Sequence, residues 1–183
     1  MQVTVFLAEG FEEIEALTPV DILRRVKVPV RTCSVTSDTV VCGAHGIKVT
    51  ADETLDTLDG DEDVIVLPGG MPGTLNLKAC RALCDRIQNH HAKKKIIAAI
   101  CAAPTILSEL GLLKDAEATC YPSMQSELVC RKVCQEDVVV WENIITSRGP
   151  GTAAALGLCL ARLLAGDEAA DSVGRSMLWE EKH

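Results

Sequence analysis

The strongest constraint on this chain comes from two short stretches that are apolar at every position, Val64-Ile65-Val66-Leu67 and Ile96-Ile97-Ala98-Ala99-Ile100. A strand with one face in water alternates polar and apolar residues, so a strand without alternation has both faces covered. The residues between them, Thr74–His91, read as one helix. A helix between two such strands is the crossover that parallel pairing requires. The same rhythm runs through the chain: strand Val3–Ala8, helix Glu12–Lys27, strand Val28–Val35, strand Lys95–Ile100, helix Ala103–Leu110. A short strand near Ala118–Cys120 and a helix over Ser123–Val129 come next, and helices over Pro150–Ala165 and Glu168–Glu181 close the chain. Two hairpins are predicted, Val40–Cys42 with Ile47–Thr50 and Val138–Trp141 with Ile144–Ser147. Pro19 falls inside the first helix without an N–H for the Glu15 carbonyl, so a kink or break is expected there. The reading is one α/β domain over residues 1–183, a three-layer α/β/α sandwich with a mostly parallel central sheet.

Only five of the 183 residues are aromatic while 48% are apolar, so the core must be aliphatic. With 18 basic against 26 acidic residues the formal charge is −8, which excludes a general nucleic-acid binder. Lys93-Lys94-Lys95, the one basic cluster, reads as a solvated loop, and nothing reads as a membrane anchor. The nine cysteines are odd in number, and Met1-Gln2-Val3-Thr4-Val5-Phe6 enters a strand with no basic leader. Reduced thiols and a cytoplasmic location are the expectation. Cys80/Cys84 and Cys130/Cys134 have spacings a metal could use, but only His90 and His91 lie near, and no metal is expected.

Ligands of such sheets bind beyond the carboxyl ends of the strands, where three loops stand out: Glu9–Glu12, Pro68-Gly69-Gly70 and Cys101-Ala102-Ala103. Cys101 follows an apolar strand and precedes Pro104 at a helix start, a corner where unpaired N–H groups favour a thiolate; a buried space-filling cysteine is the alternative. Glu12 and Glu15 share a helix face while Glu13 points elsewhere, and the pair either complements the helix dipole or works on protons. A carboxyl beside a thiolate would hold its proton, so Glu15 is a candidate acid hydrogen-bonded to the Cys101 sulfur. Gly69 and Gly70 can turn backbone N–H groups toward an oxyanion or simply form a tight turn. Arg148, ahead of Pro150, can hold an anion or pin its own turn, and His45 can pair with Cys101 through space or stay solvated.

Four segments in register, Ala8–Glu15, Val66–Gly70, Ala98–Pro104 and Thr146–Thr152, closely resemble the ThiJ/PfpI family, in particular its parkinsonism-associated deglycase subfamily. The resemblance implies a flavodoxin-like homodimer with a nucleophile-elbow cysteine at Cys101. It makes Glu15 the protonated acid beside the sulfur, gives Gly70 and Ala102 the role of backbone donors with Gly69, Tyr121 and His45 as further oxyanion or substrate-binding positions, and leaves Glu12, Arg148 and Pro150 in support. It also implies a cofactor-free glyoxalase or deglycase acting on methylglyoxal, a small reactive dicarbonyl, with a role in oxidative stress. A redox sensor or chaperone working through oxidation of Cys101 to sulfinic acid is the alternative. Two substitutions depart from the subfamily: Tyr121 stands where many members carry histidine before a proline, and His45 where they often carry arginine. Ala102 follows the cysteine where the protease-like branch has histidine, so no peptidase is expected.

Overall fold

A computed structural model describes residues 1–180. In chain order the elements are β1 (Val3–Leu7), α1 (Glu13–Arg25), β2 (Val30–Ser34), β3 (Val40–Cys42), β4 (Lys48–Thr50), β5 (Glu53–Thr54) and β6 (Val64–Leu67), followed by α2 (Gly73–Ala79), α3 (Arg81–Ala92), β7 (Ile96–Ile100) and α4 (Pro104–Glu109). The chain continues with β8 (Glu117–Ala118), β9 (Lys132–Val133), β10 (Val138–Trp141), β11 (Ile144–Ser147), α5 (Ala153–Ala165) and α6 (Asp167–Ser176).

The central sheet runs β10-β11-β7-β6-β1-β2-β5, and every pairing in it is parallel except the β10–β11 hairpin. Its strands send alternate residues into two aliphatic layers. Val5, Leu7, Val66, Ala98 and Ile100 join Ile22, Leu23, Leu156 and Leu160 on the side of α1 and α5. Phe6, Ile65, Leu67, Ile97 and Ala99 meet Leu77, Leu83, Ile87 and Leu107 on the side of α2, α3 and α4. Both faces are therefore dry, as the uniform apolar runs require. This is the α/β/α sandwich with a mostly parallel sheet.

Several local expectations are corrected. The predicted Thr74–His91 helix is two helices, because Cys80 adopts an extended backbone (φ −77°, ψ 93°) between α2 and α3. Helix α1 runs unbroken past Pro19, which is buried against α5. A Cβ at Gly157 of α5 would come within 2.7 Å of Ile22 Cδ1 and 3.2 Å of Pro19 Cα, so the two helices touch through that glycine. The predicted helix over Ser123–Val129 is a 3₁₀ turn, Pro122–Glu127, with no buried residue to anchor a longer helix. The predicted strand near Ala118 pairs outside the main sheet, β8 with β9. The last helix ends at Ser176, and Glu181 lies outside the described residues. Both hairpins form where the sequence places them.

Candidate functional site

Strand β7 delivers Cys101 at the carboxyl edge of the sheet, and the residue turns the chain with φ +65°, a left-handed value that a non-glycine residue holds only when its surroundings fix it. Its N–H donates to the Ser147 carbonyl at 2.9 Å, and its carbonyl accepts the Tyr121 N–H at 2.8 Å. The cysteine is thus pinned from both sides by segments far along the chain. Helix α4 begins at Pro104, as expected, but is only six residues long.

Across from the sulfur, α1 presents Glu15, 0% exposed. The Gly69 N–H donates to Glu15 Oε2 at 2.8 Å, whereas Oε1 is buried with no hydrogen-bond partner among the described residues. The Pro68-Gly69-Gly70 turn fits only because it lacks side chains. A methyl group on Gly69 would sit 2.7 Å from both Cys101 Cβ and Glu15 Oε2, and Gly70 adopts φ +90° with the Glu12 nitrogen 2.5 Å from where a Cβ would be. The Glu12 N–H in turn donates to the Gly69 carbonyl at 2.9 Å, fastening the start of α1 to the turn.

Burial pushes the Glu15 carboxyl up to about 7, a rise only partly countered by its hydrogen bonds to Cys101 and Gly69, and the nearby Glu12 charge adds to it. Burial, then the charge and hydrogen bond of Glu15, push the Cys101 thiol up to about 12, while the Gly70 and Ala102 N–H groups act in the opposite sense. The free thiolate expected from a helix N-terminus is therefore corrected. A one-and-a-half-turn helix cannot offset burial beside a carboxylate, and the two acids hold one proton between them above about pH 7. The sulfur has two backbone donors and Oε1 of Glu15 has none. That asymmetry lessens the cost of moving the proton from sulfur to carboxyl.

The other candidates divide. Tyr121 lies beside the cysteine through its backbone, with its ring against Gly149. Arg148 pins its own turn: its N–H donates to the Asp137 carbonyl at 3.3 Å and Nη1 to the Gln135 carbonyl at 3.2 Å. Pro150 opens the short turn before α5, where the Thr152 hydroxyl accepts the Gly149 N–H at 3.1 Å and lies 2.7 Å from the Ser147 hydroxyl. This braces the segment whose carbonyl holds Cys101.

His45 does not reach Cys101. Its Nδ1 lies 2.8 Å from Glu13 Oε2 and 3.6 Å from Glu12 Oε2, with its side chain 66% exposed. The hydrogen bond to Glu13, and then the charges of Glu12 and Glu13, raise its pKa. Glu13 is the residue that sequence reasoning passed over. It is buried, and its Oε1 accepts the N–H groups of His45 at 2.9 Å and Ile47 at 3.4 Å. Its partner is 32 positions away, so no local pattern marks it. Glu12, Glu13 and His45 bring one ligand atom each within 4.8 Å of one another, a set able to hold a cation only by giving up the His45–Glu13 hydrogen bond. All nine cysteines are free thiols. Among the described residues no helix is long and apolar enough to cross a membrane.

Residues 1–163 match the DJ-1/PfpI family. The chain belongs to that family. It is 38% identical over 183 residues to Protein DJ-1alpha of Drosophila melanogaster, covering 97% of this chain and 84% of that one. It is 31% identical over 168 residues to the glutathione-independent glyoxalase DJR-1.2 of Caenorhabditis elegans, covering 90% and 89%. Among solved structures, oxidized Toxoplasma gondii DJ-1 superposes with a TM-score of 0.94 at 34% identity, covering 98% of this chain and 99% of that one. These DJ-1/PfpI neighbours have the flavodoxin-like fold, with the cysteine corner, the Gly69-Gly70 turn and the Glu15 helix all inside the matched span.

Proposed function

We propose that this protein is a cofactor-independent glyoxalase that converts methylglyoxal to lactate, with adducts of methylglyoxal on proteins as further substrates. The observation that carries the reading is the buried, half-unsatisfied Glu15 carboxyl set beside Cys101 across the Gly69 turn. The relative named as a glutathione-independent glyoxalase supports it.

The Cys101 sulfur bonds to the aldehyde carbon, and its proton passes to Glu15 and from there to the aldehyde oxygen, giving a thiohemiacetal. Glu15 then takes the proton from that carbon and returns it to the neighbouring ketone carbon, while the hydroxyl proton of the first carbon passes to the ketone oxygen through an enediol. The first carbon is thereby oxidised to a thioester and the second reduced to an alcohol, with no external electron acceptor. Water attacks the thioester, releasing lactate and restoring the thiol. The Gly70 and Ala102 N–H groups, which face the sulfur in the free protein, are the donors for the oxyanions along this path. Lactate formation from methylglyoxal by the purified protein tests the reading. Cys101→Ser is expected to lower the rate by about 10³-fold or more, and a variant that keeps the wild-type rate overturns it.

The oxidized state of the Toxoplasma gondii neighbour favours a second reading, in which Cys101 senses peroxide. Sulfur attacks one peroxide oxygen and water leaves, and a second round gives the sulfinate. A gain of two oxygens on Cys101 under mild peroxide, together with no lactate formation, selects this reading over the first.

The active form is proposed to be a homodimer. Ile14, next to Glu13 on α1, and Ile47, whose N–H donates to Glu13, are 53% and 54% exposed, apolar side chains that a second copy of the chain would cover. Sedimentation of an Ile14→Glu, Ile47→Glu variant as a monomer, with the wild type sedimenting as a dimer, supports this. A monomeric wild type overturns it.

A further inference from the structure

We infer that the groove between strand β10, helix α5 and Trp179 is a binding site for a small lipophilic cation, an ammonium group carried on an aromatic or alkyl body. The inference goes beyond the glyoxalase reading and does not depend on it, since neither Cys101 nor Glu15 lines the groove.

Three walls enclose the space. Strand β10 is an edge of the central sheet, and its Val138 and Val140 point to the α5 side, where Val140 stays 50% exposed. Helix α5 contributes Ala155, Leu158, Cys159 and Arg162, whose spacing of three and four residues places them on one face. Trp179 closes the third side. A Cβ at Gly174 would stand 3.7 Å from Leu158 Cδ1 and 3.9 Å from Trp179 Cε3, so the indole and α5 approach each other over that glycine. The volume is about 480 Å³, inside the roughly 300–1,000 Å³ span of small-molecule sites.

The charges around the groove are one-sided. Arg162 is already held by Asp167 at 3.2 Å and Asp171 at 2.8 Å, so it offers little to an anion. Asp137 is half-buried, and its carboxylate has no hydrogen bond or ion pair among the described residues. Beside it, Glu136 is exposed and makes no ion pair among them, and the backbone N–H groups of Glu136 itself and of Gln135 hold its pKa below the ordinary value. Glu180 adds a third carboxylate. An unpaired, half-buried carboxylate gains from a counter-ion that arrives with the ligand, and the face of an indole attracts the same positive charge. The apolar walls select the body of the ligand and the carboxylates select its head.

The test follows Trp179 fluorescence in a Trp141→Phe chain with three probes built on one ring: benzyltrimethylammonium, benzyl alcohol and phenylacetate. The cation is expected to shift the emission at about tenfold lower concentration than the neutral probe, with the anion weakest. Added salt is expected to weaken the cation alone. Glu136→Gln combined with Asp137→Asn is expected to remove most of the preference and leave benzyl alcohol unchanged. Ala155→Phe, which fills the groove, is expected to abolish the response to all three. No response to millimolar benzyltrimethylammonium, or a preference undiminished in the carboxylate variant, overturns the site. The carboxylate variant keeps the test decisive should Ala155→Phe fail to fold. If Ala155→Phe instead alters the sedimentation coefficient and leaves the probe response intact, the groove is a contact between copies of the chain and the inference fails.

Discussion

Glu13 and Glu15 stand two residues apart on one helix, both buried, and their environments drive them in opposite directions. Burial acts to raise both. At Glu13 it is outweighed by the His45 side chain and by backbone N–H groups of its own residue, His45 and Ile47, so its pKa falls below the ordinary carboxylate value. Glu15 has one backbone donor, an adjacent thiol and an orphaned oxygen, and rises to about 7. The difference teaches that depth and the number of donors act together: Glu15 lies deeper with one backbone donor and rises, while Glu13 lies nearer the surface with several donors and stays ionised. It also separates a structural carboxylate from one able to trade protons near neutral pH.

The largest effect should come from taking the proton away from Glu15. Glu15→Gln keeps an acceptor for the Gly69 N–H and loses the exchangeable proton, so lactate formation should fall by about 10²–10⁴-fold. Unchanged turnover would break the contrast outright. The same carboxyl should leave its mark on stability. Its folded-state pKa lies above its ordinary 4.5, so its contribution is fully present below pH 4.5 and is lost as pH rises through about 7. Urea titrations of the wild type should show a loss of about 3 kcal/mol across that window, and Glu15→Gln should flatten it.

Next in size is Gly69→Ala, whose methyl group would press on both Cys101 and Glu15. It should destabilise the fold by about 1–3 kcal/mol, read as a lowered Tm. The smallest effect sharpens the other half of the comparison. Glu13→Gln removes the charge facing His45, and an NMR titration should show the His45 pKa moving down toward its ordinary value. A histidine that does not move would mean that Glu13 does not carry its proposed charge.

The layers were legible because Val64–Leu67 and Ile96–Ile100 have no polar face to turn outward, and the cysteine corner because Cys101 and Pro104 straddle a strand end. The break at Cys80 left no trace, since neither proline nor glycine marks it and the bend is held by packing. Pro19 misled in the other direction, for α5 presses on it through Gly157 and the helix continues. Strands of two residues such as β5 and β9 are too short to show periodicity. In the site, residues contiguous in sequence were readable, while the Glu13–His45 bond and the burial of the sulfur come only from tertiary packing.

The attachment of Cys101 to Ser147 has a consequence for synthesis. A chain still emerging from the ribosome carries its thiol dozens of residues before the carbonyl that aims it exists. Until the segment carrying Ser147 folds back, the sulfur is an ordinary one on a loose corner, so a nascent or truncated polypeptide should add to aldehydes as any exposed thiol does without carrying the adduct on to lactate.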